Sequence, residues 1–110
     1  MPQITVDHSA PLDRRGFALA LHPLVVTTVD TALDACKTRF REVDEAVVGD
    51  GSTGDALVHV EIALLFGRTD AVKARLSKAV LDLLPRFLGT TEGVRLSVEI
   101  RDLESSYRKR

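Results

Sequence analysis

Pro2 is the residue best suited to chemistry. The chain opens Met1-Pro2-Gln3-Ile4-Thr5-Val6-Asp7, a proline at the head of an alternating segment. Methionine before a small residue is commonly trimmed, and trimming leaves Pro2 with a free secondary amine. An α-amino group titrates at roughly 8. Burial or neighbouring cations lower that value toward the range useful to a general base. If Met1 stays, the Pro2 nitrogen is an amide and no base. The plainer reading is that position 2 merely tolerates proline.

Cations form the second candidate group. Lys37, Arg39 and Arg41 alternate along one segment, and strand periodicity puts all three on one face. Such a row either meets anions or is a solvated face. Arg68 sits in Gly67-Arg68-Thr69, just before a helical pattern. Backbone N–H groups at a helix start favour anions, and an arginine adds a planar fork for a carboxylate. A solvent-facing loop arginine is the alternative. His8, His22 and His59 show no metal-ligand spacing. His59 and Glu61 share a strand face and read as a satisfied structural pair. No Ser-His-Asp or Cys-His arrangement is present. Cys36 is the one cysteine, so no intrachain disulfide forms, and with no motif around it the residue reads as a buried thiol.

These groups need elements to hold them. Gln3 to His8 alternates as a strand, with Ile4 and Val6 on one face. Leu12 to about Val29 is helical, with Phe17, Leu21, Leu24 and Val25 on one side, and Pro23 is expected to kink or interrupt it. Lys37 to Val47 reads as a second strand. Gly49-Asp50-Gly51-Ser52-Thr53-Gly54 is a loop without the Lys-Ser/Thr ending of a phosphate cradle. Leu57 to Phe66 is a third strand, with Val58, Val60, Ile62, Leu64 and Phe66 on one face. Thr69 and Asp70 open a second helix, whose stripe runs through Val72, Leu76, Ala79, Val80, Leu83, Phe87 and Leu88 to a stop at Gly89. Val94 to Leu103 is the last strand. Ser105 to Arg110 is a polar tail, expected to be mobile.

The order is β-α-β, a glycine-rich joint, then β-α-β. This is one α+β domain over residues 1–110, with halves at about 1–48 and 55–104. Both helices are expected on one face of a single sheet. The other face lacks a cover, and self-association is the simplest way to supply one. The bulk numbers agree with a globular domain: 110 residues, 45% of them hydrophobic. A net charge of −1 argues against nucleic acid as a main partner. No run reaches the ~18 apolar residues of a membrane span, and no signal peptide is evident, so a cytoplasmic protein is expected.

Several of these segments recur in one order in a known family. Pro2, the strand QITVDHS, the cationic strand KTRFRE, the segment LVHVEIALLFGR and the closing strand VRLSVEI together resemble the 5-carboxymethyl-2-hydroxymuconate delta-isomerases of the tautomerase superfamily. The likeness covers nearly the whole chain. It implies a β-α-β-β-α-β protomer with a mixed sheet, three of which form a ring with their sheets inward. It implies ketonisation of a small carboxylated dienol in homoprotocatechuate breakdown, without metal or cofactor. The family base falls on Pro2, and its cationic positions fall on Lys37 and Arg68, with Arg39 and Arg41 as further substrate-binding cations. Lys37 departs from the usual arginine, which leaves a tautomerase for a different α-keto acid as the second reading. A non-catalytic ferredoxin-like ligand-binding module is the third.

Overall fold

The computed structural model describes residues 1–110. Its regular elements are β1 (Gln3–His8), α1 (Arg14–Val29), β2 (Lys37–Glu42), β3 (Ala56–Leu64), α2 (Asp70–Leu83) and β4 (Val94–Asp102). The sheet order is β2-β1-β3-β4. β1 pairs with β2 in parallel and with β3 antiparallel, and β3 pairs with β4 in parallel. Each helix therefore bridges two parallel strands, as the doubled β-α-β pattern implied.

One face of the sheet carries the core. Ile4 and Val6 of β1, Val58, Val60 and Ile62 of β3, Phe17, Leu21 and Val25 of α1, and Leu76 and Val80 of α2 are all fully buried. The four-residue spacing of Phe17, Leu21 and Val25 stacks them on one helix face. His8 joins this core, its needs met within the chain: Nδ1 donates to Ala10 O at 2.8 Å, and Nε2 accepts from Arg14 Nε at 3.1 Å.

Several boundaries differ from the sequence expectation. α1 begins at Arg14, because Asp13 caps it by accepting from Gly16 N at 3.1 Å. Pro23 does not interrupt it. Pro23 and Leu19 both lie on the exposed side, so the Leu19 carbonyl left without an N–H partner has access to water. β2 ends at Glu42 instead of Val47. Its partner β1 stops at His8, whose carbonyl accepts from Val43 N at 2.8 Å, and beyond it there is no strand to pair with. β3 ends at Leu64, and Phe66 is 66% exposed instead of facing the core. Gly67 follows at φ 117°, a backbone turn that carries the chain off the sheet. α2 tightens into a 3-10 turn at Leu84–Phe87, where Pro85 sits, so regular helix ends before Gly89. The segment after β4 is not a free tail. It turns at Glu104–Tyr107, where Tyr107 N donates to Glu104 O at 3.0 Å, and it returns to the sheet.

The second sheet face is uncovered, as expected, but it is mostly polar, Leu57 and Ala63 of β3 aside. Strand register and alternation place Gln3, Thr5 and Asp7 there from β1, Lys37, Arg39 and Arg41 from β2, His59 and Glu61 from β3, and Arg95, Ser97, Glu99 and Arg101 from β4. Hydrophobic burial is therefore not what this face would contribute to association.

Candidate active site

The head of β1 is where the candidate residues meet. Pro2 is buried, and its carbonyl accepts from Lys37 N at 3.3 Å. That bond ties the first residue of β2 to the residue before β1. The chain amine, carried here by Met1, is held below the ordinary α-amino value. Burial is the largest cause, followed by the charges of Arg68, Lys109 and Lys37, with Cys36 opposing. Cys36 itself is a buried free thiol that desolvation pushes up. It stays protonated, which suits the structural part expected of it.

Arg68 arrives from the loop after β3. Its Nε and Nη2 donate to Val29 O at 3.3 and 3.0 Å, and its Nη1 donates to Leu65 O at 3.3 Å. The guanidinium thus satisfies the carbonyl end of α1, where a cation is favoured by the helix dipole. The sequence expectation had Arg68 acting with the start of α2. Thr69 does cap that start, accepting from Val72 N at 3.2 Å, but the arginine turns to α1. Its charge still reaches the chain amine.

The three cations of β2 part company. Lys37 Nζ donates only to Ala35 O, at 3.1 Å. Arg39 donates to Thr5 Oγ1 at 3.3 Å and to Gln3 Oε1. Arg41 grips Asp7 with both arms, Nε to Oδ1 at 2.7 Å and Nη2 to Oδ2 at 3.2 Å. That fork holds the Asp7 carboxyl below the usual carboxylate range. Four residue steps along the strand separate Arg41 from Lys37, about 13 Å. The expected row of three substrate cations is therefore split: Lys37 lies at the Pro2 end, while Arg41 is distant and already paired. His59 and Glu61 are not partners either. His59 Nδ1 lies 2.6 Å from Ser97 Oγ, and Glu61 pairs with Arg101 at 3.0 Å.

A cavity of about 310 Å³ opens beside the amine. Met1, Lys37, Asp34, Lys109 and Arg110 line it. The two tail cations were missed because a basic terminal run reads as solvated. The closest signal was Tyr107, the one tyrosine in the chain. A second hollow of the same size lies by Phe66 and Leu103, but Asp102 and Glu104 line it, a charge that repels acids. No group of three or more His, Cys, Asp or Glu side chains is placed to hold a metal ion. No helix is long and apolar enough to cross a membrane.

The family model described as 5-carboxymethyl-2-hydroxymuconate isomerase matches residues 2–110. The chain belongs to that family. It is an isomerase of the tautomerase superfamily, which sets aside the non-catalytic module. Solved structures agree on the fold. A 5-carboxymethyl-2-hydroxymuconate isomerase from Deinococcus radiodurans R1 superposes with a TM-score of 0.84 at 21% identity, covering 98% of this chain and 88% of that one. A 5-carboxymethyl-2-hydroxymuconate delta-isomerase gives 0.83 at 15% identity, covering 100% and 87%. A fused 4-OT symmetric trimer gives 0.77 at 24% identity, covering 98% and 90%. No curated protein matches the chain by sequence. Within this family the head of β1 is the natural place to seek the chemistry, because the buried Pro2, the cations and an open cavity coincide there.

Proposed function

We propose that the chain, once Met1 is trimmed, is a 5-carboxymethyl-2-hydroxymuconate delta-isomerase with the Pro2 amine as its base. It ketonises a carboxylated dienol in the breakdown of homoprotocatechuate, formed from 4-hydroxyphenylacetate. The observation that carries this reading is the setting of the chain amine, partly desolvated and surrounded by Arg68, Lys109 and Lys37. Removal of Met1 moves the amine one residue inward, to the buried Pro2. The same causes then favour a neutral, basic nitrogen at neutral pH.

The neutral amine takes the hydroxyl proton of the dienol and delivers a proton to a carbon of the conjugated chain, leaving the ketone. Lys37 stabilises the negative charge that develops on the enolate oxygen. Arg68 contributes its field while bonded to Val29 O and Leu65 O. Arg39 lies one strand repeat further along, as a secondary contact for substrate, and Arg41 is kept from that part by Asp7. No metal or cofactor enters. The working form is a cytoplasmic homotrimer, an assembly supported by the fold likeness to a symmetric trimer.

Lys37 favours one other reading. An ammonium supplies charge without the planar fork of a guanidinium, so the preferred acid differs if the fork is what selects it. The experiment is to block the Pro2 nitrogen of trimmed protein and assay a carboxylated dienol. Activity should drop by about 10²–10⁴. Full activity after blocking, or complete retention of Met1 in protein from its native host, eliminates the proline base.

A further inference from the structure

The segment after β4 ends on three consecutive cations, Arg108, Lys109 and Arg110, and the structure treats them differently. Arg108 Nη1 folds back onto Ser105 O at 3.1 Å and Tyr107 O at 2.9 Å. Lys109 and Arg110 reach the cavity beside the chain amine, together with Lys37. All the ion pairs of the chain lie elsewhere. Three cationic side chains thus line this cavity with one acidic side chain, Asp34, and none of them is within ion-pair distance of it. A volume of about 310 Å³ is at the small end of the range for small-molecule sites.

The segment is also tethered. Tyr107 is half-buried, and its hydroxyl accepts from Gln3 Nε2 at 3.1 Å. Gln3 Oε1 in turn accepts from Arg39. Arg39, Gln3 and Tyr107 form a polar chain from β2 across β1 to the C-terminal segment, one residue past Pro2. A freely solvated tail has no such anchor. Lys109 Nζ contacts the Met1 thioether, a contact that is lost when Met1 is removed.

We infer that Lys109 and Arg110 form a carboxylate subsite distinct from Lys37, held over the head of β1 by Tyr107, and that it selects tricarboxylates over dicarboxylates. This deepens the isomerase reading and rests on it for the identity of the acid. Lys109 and Arg110 are specificity residues. Tyr107 and Arg39 are positioning residues that act through them.

The test measures binding by calorimetry with two unreactive probes of equal chain length, propane-1,2,3-tricarboxylate and glutarate, alongside turnover of a tricarboxylated dienol. Wild type should bind the tricarboxylate more tightly. The double variant Lys109→Ala/Arg110→Ala should lose about fivefold in tricarboxylate affinity, the scale of two solvent-screened charge contacts, and change glutarate by less than twofold. Tyr107→Phe should move the same preference in the same direction, by about twofold, while Lys109→Arg restores it. Equal losses for both acids mean a general field of charge and overturn the subsite, as does an unchanged preference in an active enzyme. Wild type that binds neither acid overturns it as well. Tail-dependent tricarboxylate binding without dienol turnover upholds the subsite and sinks the isomerase reading alone.

Discussion

Three side chains lower the basicity of one nitrogen at the head of β1, and they differ in what else they do. Arg68 also saturates Val29 O and Leu65 O. Lys37 spends one bond on Ala35 O. Arg68→Ala should therefore cost stability, about 1–2 kcal/mol, from the part-buried Val29 carbonyl it leaves without a donor, Leu65 O being open to water, whereas Lys37→Ala should leave the unfolding midpoint nearly unmoved. Urea titrations of the two variants check this, and equal midpoints would show that the capping bonds contribute nothing. Both changes remove a cation that disfavours the protonated amine. The amine pKa should rise in each, so the acidic limb of the kcat/KM profile should shift to higher pH. A limb that stays in place means the titrating base lies elsewhere. Pro2 and Lys37 could be singled out from the sequence as candidates because a proline heading a strand and an alternating cation row are local patterns. The turn of Arg68 toward α1 could not be read there, since Val29 lies 39 residues away in the chain and only the packing of the two halves brings them together.

At the scale of elements, α1 and β2 are stitched by His22, whose Nε2 lies 2.7 Å from Thr38 Oγ1. Burial holds its pKa below the ordinary histidine value. The unfolded chain therefore binds the proton more readily, and stability is present above about pH 6.5 and lost as pH falls toward the folded value. Asp7 is depressed too, but that loss begins only near pH 4 and below, outside the window. Denaturant midpoints at pH 7.5 and 5.5 should differ more for wild type than for His22→Gln, which keeps a polar group without the titration. Identical pH slopes would remove His22 from the account. Element types were readable from periodicity, because Ile4, Val6, Val58, Val60 and Ile62 alternate, and Phe17, Leu21 and Val25 recur every fourth residue. Element ends were less so. The length of β2 is set by where β1 stops, a partner's property that the KTRFRE segment does not contain.

For the whole molecule, the open sheet face holds five cations, Lys37, Arg39, Arg41, Arg95 and Arg101, against the carboxylates Asp7, Glu61 and Glu99. If three copies turn these faces inward, the ring encloses a charged, hydrated interior. Assembly should then respond to ionic strength. Light scattering at micromolar concentration should return a trimer mass at moderate salt, with dissociation shifting between about 50 mM and 1 M salt as screening shortens from roughly 14 to 3 Å. A monomer under all conditions would contradict the assembly. The sequence pointed to association through an uncovered face, and it could equally have shown that face to be polar, since Gln3, Thr5, Asp7, His59 and Glu61 are all local alternations.

The position of β2 at the border of the sheet has one more consequence. A border strand offers a free row of backbone N–H and C=O groups to any extended chain that drifts alongside, including another newly made copy. Lys37, Arg39 and Arg41 stand on alternate residues of that row, and lysine and arginine there repel a second copy of themselves. The cationic row thus keeps separate copies of the chain from zipping together. Arg39→Val with Arg41→Val should fold around the same core but recover poorly on refolding, with turbidity rising with concentration. Clean refolding of that variant at high concentration would show that the border needs no such guard.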